Sequence, residues 1–441
     1  MTLLSRITTP FTGPRRAHGD PLVWCAAITL AFLAVVLNRL GTPSKIVFDE
    51  VHYLPAARRL IALTSRLNPE HPLLGKEFIA LGMLLFGDGP WGWRLPNALL
   101  GTLGFFAATR AMWWASLSRP ATLLFALLLA TNFIWFVLSR IAMLDMAMAS
   151  MMALAFWQAA LAFRKGSEGR NGSRLHLALC GVFLGLSLGG KWNGAPILAL
   201  PGLLFAWDRW WALAGRRRGF LIARDAGPIP GVSLLEAAAW LGVVPLLAYF
   251  ATFAPAFFYK VQPLTLRGLI PWQAYMLQLQ DSVVKPHLYQ SRWWQWVFNL
   301  RPIWFFYAPW DGAQRGVLMI GNPFTMLAGL PALLLCLWAG LRRGDRLRGA
   351  VVVLYVASLI FWAINGKPVQ FYYHYALASV FLMAALALVL AGWWEKGRRW
   401  PGALTVVLSG MLFVGFYPIL SAGALPGKNS YRDYTWLDSW R

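Results

Sequence analysis

Five stretches of this chain carry side chains that could do chemistry. The first is Phe48-Asp49-Glu50-Val51-His52-Tyr53, two adjacent carboxylates just after the first long apolar block. A carboxylate in low-dielectric surroundings can act as a general base or hold a cation; the plain alternative is a solvated pair of loop acids. The second is His71-Pro72-Leu73-Leu74-Gly75-Lys76, stiffened by Pro69 and Pro72, with Lys76 opening the apolar stretch 77-86. Lys76 reads either as a point charge for a phosphate at headgroup level or as a snorkelling interfacial lysine. The third joins Gly92-Trp93-Arg94-Leu95-Pro96 to Ser139-Arg140-Ile141-Ala142-Met143-Leu144-Asp145. Ionisable groups at a membrane edge are usually paired or functional, and a structural Arg140–Asp145 pair is the favoured reading of Asp145. Lys191, in Lys191-Trp192-Asn193, joins a phosphate site or caps a helix. The fourth is His287-Leu288-Tyr289-Gln290-Ser291-Arg292 with Trp293, Trp294 and Trp296, followed by Arg301 and Trp304. Arginines interleaved with tryptophans bind lipid phosphates and stack on sugars, or lie along the interface with no ligand. The fifth is Gln370-Phe371-Tyr372-Tyr373-His374-Tyr375, whose plain alternative is an aromatic belt.

The elements that position these groups are membrane helices. Of 441 residues, 58% are hydrophobic and only 13% charged, too few charges to keep a soluble surface wet. The apolar residues fall in blocks of roughly 17–22, the length that crosses ~30 Å of hydrocarbon as a helix. The expected spans are 22-40, 97-115, 120-138, 142-163, 175-190, 193-208, 234-253, 317-339, 350-364, 374-393 and 401-420, an all-α polytopic membrane protein with about eleven transmembrane helices. The net charge of +23 would suggest nucleic acid in a soluble protein. Here the cations sit in short loops: Arg15-Arg16, Arg164-Lys165 with Arg170 and Arg174, Arg216-Arg217-Arg218 with Arg224, Arg342-Arg343 with Arg346 and Arg348, and Lys396 with Arg398-Arg399. All fall on one side if the N-terminus is cytoplasmic and every block crosses once. The first block is expected to stay as a span, because no small-residue cleavage site follows it.

Residues 1-441 then form one integral membrane domain with two long outer loops, 41-96 and 254-316. In the first, 54-67 reads as an interfacial helix, with Leu60, Ile61, Leu63 and Leu67 against Arg58, Arg59 and Arg66. Cys25, Cys180 and Cys336 lie in apolar blocks without CxxC spacing, which indicates neither disulfides nor zinc. No P-loop or Rossmann glycine pattern is present, which argues against a soluble nucleotide donor. The absence of an internal repeat, and the clustering of suspicious residues at the outer edge rather than the midplane, argue against a transporter. What fits is a site for a lipid-linked anionic substrate.

At these residues the chain resembles the protein O-mannosyltransferases, dolichyl- or polyprenyl-phosphate-mannose-dependent enzymes of the GT-C fold, and their bacterial members in particular. The resemblance covers most of the chain and is most specific in His287 to Trp304. Related aminoarabinose transferases that modify lipid A share the acidic pair but lack that loop pattern. The resemblance implies Asp49 as catalytic base and Glu50 as its helper, orienting the acceptor or a neighbouring group. It implies a phosphate and sugar environment drawn from His71, Lys76, Arg94, Arg140, Lys191, His287, Tyr289, Arg292, Arg301 and His374. It also implies an inverting transfer of mannose to Ser or Thr hydroxyls of secreted or membrane proteins, at the outer face of the bacterial inner membrane. Two departures are local changes of stiffness: Leu73 stands where the family has a second proline, and Leu288 where bacterial relatives often have Pro. The β-trefoil insertion of the fungal enzymes is missing. No cofactor is obligatory, because a lipid phosphate leaves without acid catalysis when cations stabilise it. A divalent cation on Asp49-Glu50 stays open.

Overall fold

The structure, a computed structural model, describes residues 19–169, 171–213, 219–282 and 284–441. Arg15, Arg16, Arg170, Arg216, Arg217 and Arg218 lie outside the described residues. In chain order the helices are α1 (Leu22–Leu37), α2 (Glu50–Ile61), α3 (Leu74–Phe86), α4 (Pro90–Ser116), α5 (Arg119–Ala130), α6 (Phe133–Leu138), α7 (Leu144–Ser167) and α8 (Ser173–Gly190). There follow α9 (Leu200–Ala212), α10 (Leu234–Phe258), α11 (Leu269–Asp281), α12 (Trp293–Val297), α13 (Pro323–Arg343), α14 (Arg346–Ile364), α15 (Tyr372–Trp394) and α16 (Trp400–Leu420). Among the described residues, seven helices are long and apolar enough to cross a bilayer: α7, α8, α10, α13, α14, α15 and α16.

Two of these form the centre. The apolar windows of α7 and α15 are 83% and 89% buried, against 28–50% for the other five, which leave broad apolar faces outward as lipid-facing helices do. Small residues let the backbones approach: a Cβ on Gly190 of α8 would lie 2.7 Å from the Met148 amide nitrogen of α7. That close crossing fixes where the residue after α8, Lys191, must lie.

Several expected boundaries differ. The expected span 120-138 is broken into α5 and α6 because the Asn132 side chain accepts from the Trp135 amide at 3.1 Å and starts a new helix. The expected interfacial helix 54-67 is instead α2, which begins at Glu50 and ends at Ile61; Leu63 has left-handed φ. Residues 41-96 also hold α3 and the first two turns of α4.

One short sheet accompanies the helices. Residues 303–319 form an antiparallel hairpin, β1 (Ile303–Trp310) and β2 (Ala313–Met319), inside the expected loop 254-316 and the expected start of a span at 317. Its two-residue turn is Asp311-Gly312, both with positive φ (48° and 75°), which matches the twist of paired strands. Asp-Gly between an aromatic run and a mixed run was the sequence signal for it.

Candidate active site

Asp49 sits at the N-terminus of α2 and is half-buried, with its Oδ2 accepting from the Tyr53 hydroxyl at 3.2 Å, one helical turn on. Phe48 before it adopts φ 46°, costly for a residue with a Cβ. Aromatic contacts hold it there: its ring stacks on Phe305 of β1 (4.6 Å between centroids) and meets Phe371, Tyr373 and His287 edge-on. The strand and the N-terminus of α15 thus aim Asp49. Desolvation pushes its carboxyl up to about 6; Lys191 and His52 oppose the rise and the charge of Asp145 adds to it.

Glu50 faces the other way. Its side chain is fully buried and its two oxygens accept four N–H groups: Arg94 Nε (2.8 Å) and the Ala142 amide (3.0 Å) on Oε1, Arg94 Nη2 (2.9 Å) and the Val47 amide (2.9 Å) on Oε2. Arg94 gives its remaining donors to the carbonyls of Pro43 (2.7 Å), Lys45 (2.9 Å) and Leu40 (3.4 Å). Of the two tasks expected of Glu50, the contacts fit orienting a neighbouring group: it holds Arg94, whose donors are taken up there rather than left for a phosphate, and the two knit the turn 40–50 to α4 and to the chain before α7. A divalent ion shared by Asp49 and Glu50 would have to displace Arg94.

Arg140 is also spent on backbone. It donates to the carbonyls of Val36, Asn38 (2.7 Å), Arg39 (3.0 Å) and Ser421 (3.4 Å), so it fastens the end of α1 to the end of α16. The expected Arg140–Asp145 pair does not form. Asp145, buried in the first turn of α7, pairs instead with Lys191 Nζ at 2.7 Å, with Asn193 3.4 Å from its other oxygen. Lys191 also lies over the Tyr373 ring, 4.6 Å from its centroid, and it is the strongest cation acting on Asp49. Lys76 is buried and donates to the carbonyls of Asn68 and His71 (2.9 Å); burial brings its ammonium down to about 7. It closes the turn 68–71.

His71 packs edge-on against Tyr53, the partner of Asp49. Desolvation first, then the charges of Lys191, Lys76 and Lys367, hold its imidazole well below its usual range, so the ring is neutral. Its Nδ1 lies 3.2 Å from Gln280 Nε2, and Lys367 Nζ donates to Gln280 Oε1 at 2.6 Å. A lysine only donates, so the Gln280 oxygen faces Lys367, its amide nitrogen faces His71, and the His71 proton is assigned to Nε2. Lys367, on the turn between α14 and α15, was not singled out from sequence. Burial and Lys191 lower it to about 8, opposed by Asp281, Asp49 and Glu70. Lying between blocks and without an aromatic motif, it gave no one-dimensional signal.

The remaining candidates divide. His374 is stacked on Trp362 (3.8 Å between centroids), and its Nδ1 accepts from the Phe371 amide at 3.1 Å. His287 is exposed at the rim, against Phe371 and Phe48, with its Nδ1 accepting from the Tyr289 amide. Tyr289 packs beside His287, and Arg292 is exposed. Arg301 donates to the carbonyls of Leu288, Ser439 and Arg441, tying the second long segment to the C-terminal residues. One half-buried carboxylate, a neutral imidazole, two lysines and an aromatic wall formed by Phe48, Phe305, Phe371 and Tyr373 thus face one another. Such a set can take a proton from a hydroxyl, hold a phosphate and pack a sugar ring.

Two family models match the chain: Dolichyl-phosphate-mannose-protein mannosyltransferase over residues 87–259, and the C-terminal four TMM region of protein-O-mannosyltransferase over 265–440. The chain is 29% identical to a polyprenol-phosphate-mannose--protein mannosyltransferase of Mycolicibacterium smegmatis, covering 99% of this chain and 96% of that one. Its fold is similar to that of the S. cerevisiae protein O-mannosyltransferase Pmt1-Pmt2 complex bound to the sugar donor, with a TM-score of 0.81 at 14% identity over 99% of this chain and 94% of that one. It is also similar to ArnT from Cupriavidus metallidurans in the apo state, with a TM-score of 0.56 at 19% identity over 93% and 67% of the two chains. These likenesses place the architecture in the GT-C fold.

Proposed function

The chain is a bacterial member of the protein O-mannosyltransferase family, and we propose that it moves mannose from a polyprenyl-phosphate-mannose donor to Ser or Thr hydroxyls of secreted or membrane proteins, with inversion and with Asp49 as base. The observation that carries the assignment of the base is the placement of Asp49: a half-buried residue whose carboxyl desolvation pushes up to about 6, aimed by Phe48 and flanked by Lys191. A Ser hydroxyl is a poor nucleophile at neutral pH and needs a base whose pKa lies near the working pH.

The acceptor hydroxyl gives its proton to an Asp49 oxygen while its own oxygen bonds to the anomeric carbon. The bond from that carbon to the phosphate oxygen breaks on the opposite face, and the electron pair leaves with the lipid phosphate. Lys191, Lys367 and the Nε2–H of His71 offset the charge that builds there. Glu50 and Arg94 act as positioning residues through the turn that ends in Asp49.

Topology follows the same reading. The basic groups Arg164, Arg174, Arg343, Arg348 and Lys396 lie at helix ends opposite Asp49, so the positive-inside rule favours a cytoplasmic N-terminus in the inner membrane. Segments 41-96 and 254-316, and the site between them, then face outward.

The test is transfer by purified protein from radiolabelled polyprenyl-phosphate-mannose to a Ser/Thr peptide. Incorporation should vanish with an Ala-substituted peptide and fall by about 10²–10⁴-fold with Asp49→Asn. Equal transfer from a different lipid-linked sugar, or full activity in Asp49→Asn, would overturn the reading.

A further inference from the structure

At the end of the bundle opposite Asp49, α13, α14 and α15 leave a groove of about 670 Å³ between them. The Ala376–Trp394 part of α15 has 19 residues, so this groove lies roughly 28 Å from the candidate site at ~1.5 Å per residue. Its floor is apolar and aromatic, with Leu335 (45% exposed) and Trp338 (48%) of α13 and Trp393 (39%) of α15. Its rim is cationic: Arg343 from the last turn of α13, Arg348 from the first turn of α14, and Lys396 just after α15.

The cations are arranged rather than scattered. Arg343 lies over the Trp338 ring, 4.4 Å from the centroid. Arg348 is held in place by Asp345 at 2.5 Å and by the Leu388 carbonyl at 2.9 Å. The one carboxylate in the lining, Glu395, accepts from the Ser118 hydroxyl at 2.7 Å, which draws it toward α5. Exposed apolar side chains below, tryptophans at the boundary and fixed cations above match the order of chains, glycerol region and phosphate in a phospholipid.

We propose that this groove is a binding site for an anionic phospholipid of the leaflet opposite the active site, with its phosphate among Arg343, Arg348 and Lys396 and one acyl chain along Leu335 and Trp338. A zwitterionic lipid offers the same chain and phosphate with an added cation, which the rim repels. The site involves no group assigned to sugar transfer and stands whatever the sugar or acceptor.

The experiment is native mass spectrometry of the full chain in detergent, titrated with phosphatidylglycerol or phosphatidylcholine of identical chains. Wild-type protein should retain phosphatidylglycerol in preference to phosphatidylcholine. Arg343→Gln/Lys396→Gln should bind it roughly twentyfold more weakly, since each cation near a charged lipid surface contributes about a fivefold factor. Arg224→Gln, an exposed cation in the loop before α10, should bind as wild type. Transfer activity in detergent checks that the double variant is folded and should be unchanged. Equal binding of the two lipids overturns the proposal. So does undiminished phosphatidylglycerol binding in the double variant, or a second copy of the chain held by these residues in place of lipid.

Discussion

Glu50 and Arg94 form a two-point ion pair with side chains 0% and 1% exposed, while Asp49, one residue away, is a half-buried residue that accepts from the Tyr53 hydroxyl. Adjacent acids of the same chemistry thus have different partners: one fastens the turn through Arg94 and two backbone amides, and the other takes the Tyr53 hydroxyl. The backbone at the start of a helix turns consecutive side chains about 100° apart, so one can point into the protein and the next into the cleft.

Glu50→Gln should therefore act on stability. It leaves the Arg94 guanidinium buried without its counter-charge, which costs about 3–5 kcal/mol when one partner of a buried pair is removed. The melting temperature of the detergent-solubilised protein should drop clearly. An unchanged melting temperature with lost transfer would return Glu50 to a direct part in the chemistry.

Asp49→Asn should do the reverse. Without a general base the turnover falls by about 10²–10⁴-fold, while the melting curve stays at or above that of wild type, because a desolvated charge has been removed. A collapse of the melting curve would make Asp49 a structural residue.

The pH profile follows from the direction of the Asp49 shift. With its carboxyl raised to about 6, Asp49 is protonated and cannot accept a proton below that pH. The ratio kcat/KM should climb through about pH 6 and fall again as Lys367 loses its charge near pH 8. Lys191 favours the charged carboxylate, so Lys191→Gln should move the midpoint to higher pH. A midpoint near the ordinary carboxylate value, or one that Lys191→Gln shifts downward, would contradict this.

Lys367→Gln should weaken donor handling. Loss of one charge-assisted contact to a phosphate corresponds to about 10–100-fold in kcat/KM, and the pH midpoint should change little beside that loss. The Gln280→Leu variant should show a smaller effect of the same kind, since Gln280 orients both Lys367 and His71. Wild-type kinetics for Lys367→Gln would remove the lysine from the site.

Much of the architecture was legible in one dimension. The apolar blocks have helical length, and the basic loops alternate with them; both follow from the solvent alone, because hydrocarbon admits only satisfied backbone. Asp49 was legible as well, as an acid beside the first block. The break at Asn132 was hidden because a capping side chain interrupts a run that stays apolar on both sides. The hairpin escapes a one-dimensional reading although Asp311-Gly312 marks its turn, because its aromatic first strand reads equally well as an interfacial surface.

What the sequence determined by itself is that this chain lives in a membrane, and that its reactive groups gather where apolar blocks end. What only the tertiary structure decided is which cation answers which acid. Arg94, Arg140 and Lys76 look in sequence like phosphate ligands, yet their donors go to Glu50 and to backbone carbonyls, while Lys191 takes Asp145 and stays near Asp49. Pairing depends on distances and desolvation between residues that are tens of positions apart, and neither quantity is written along the chain.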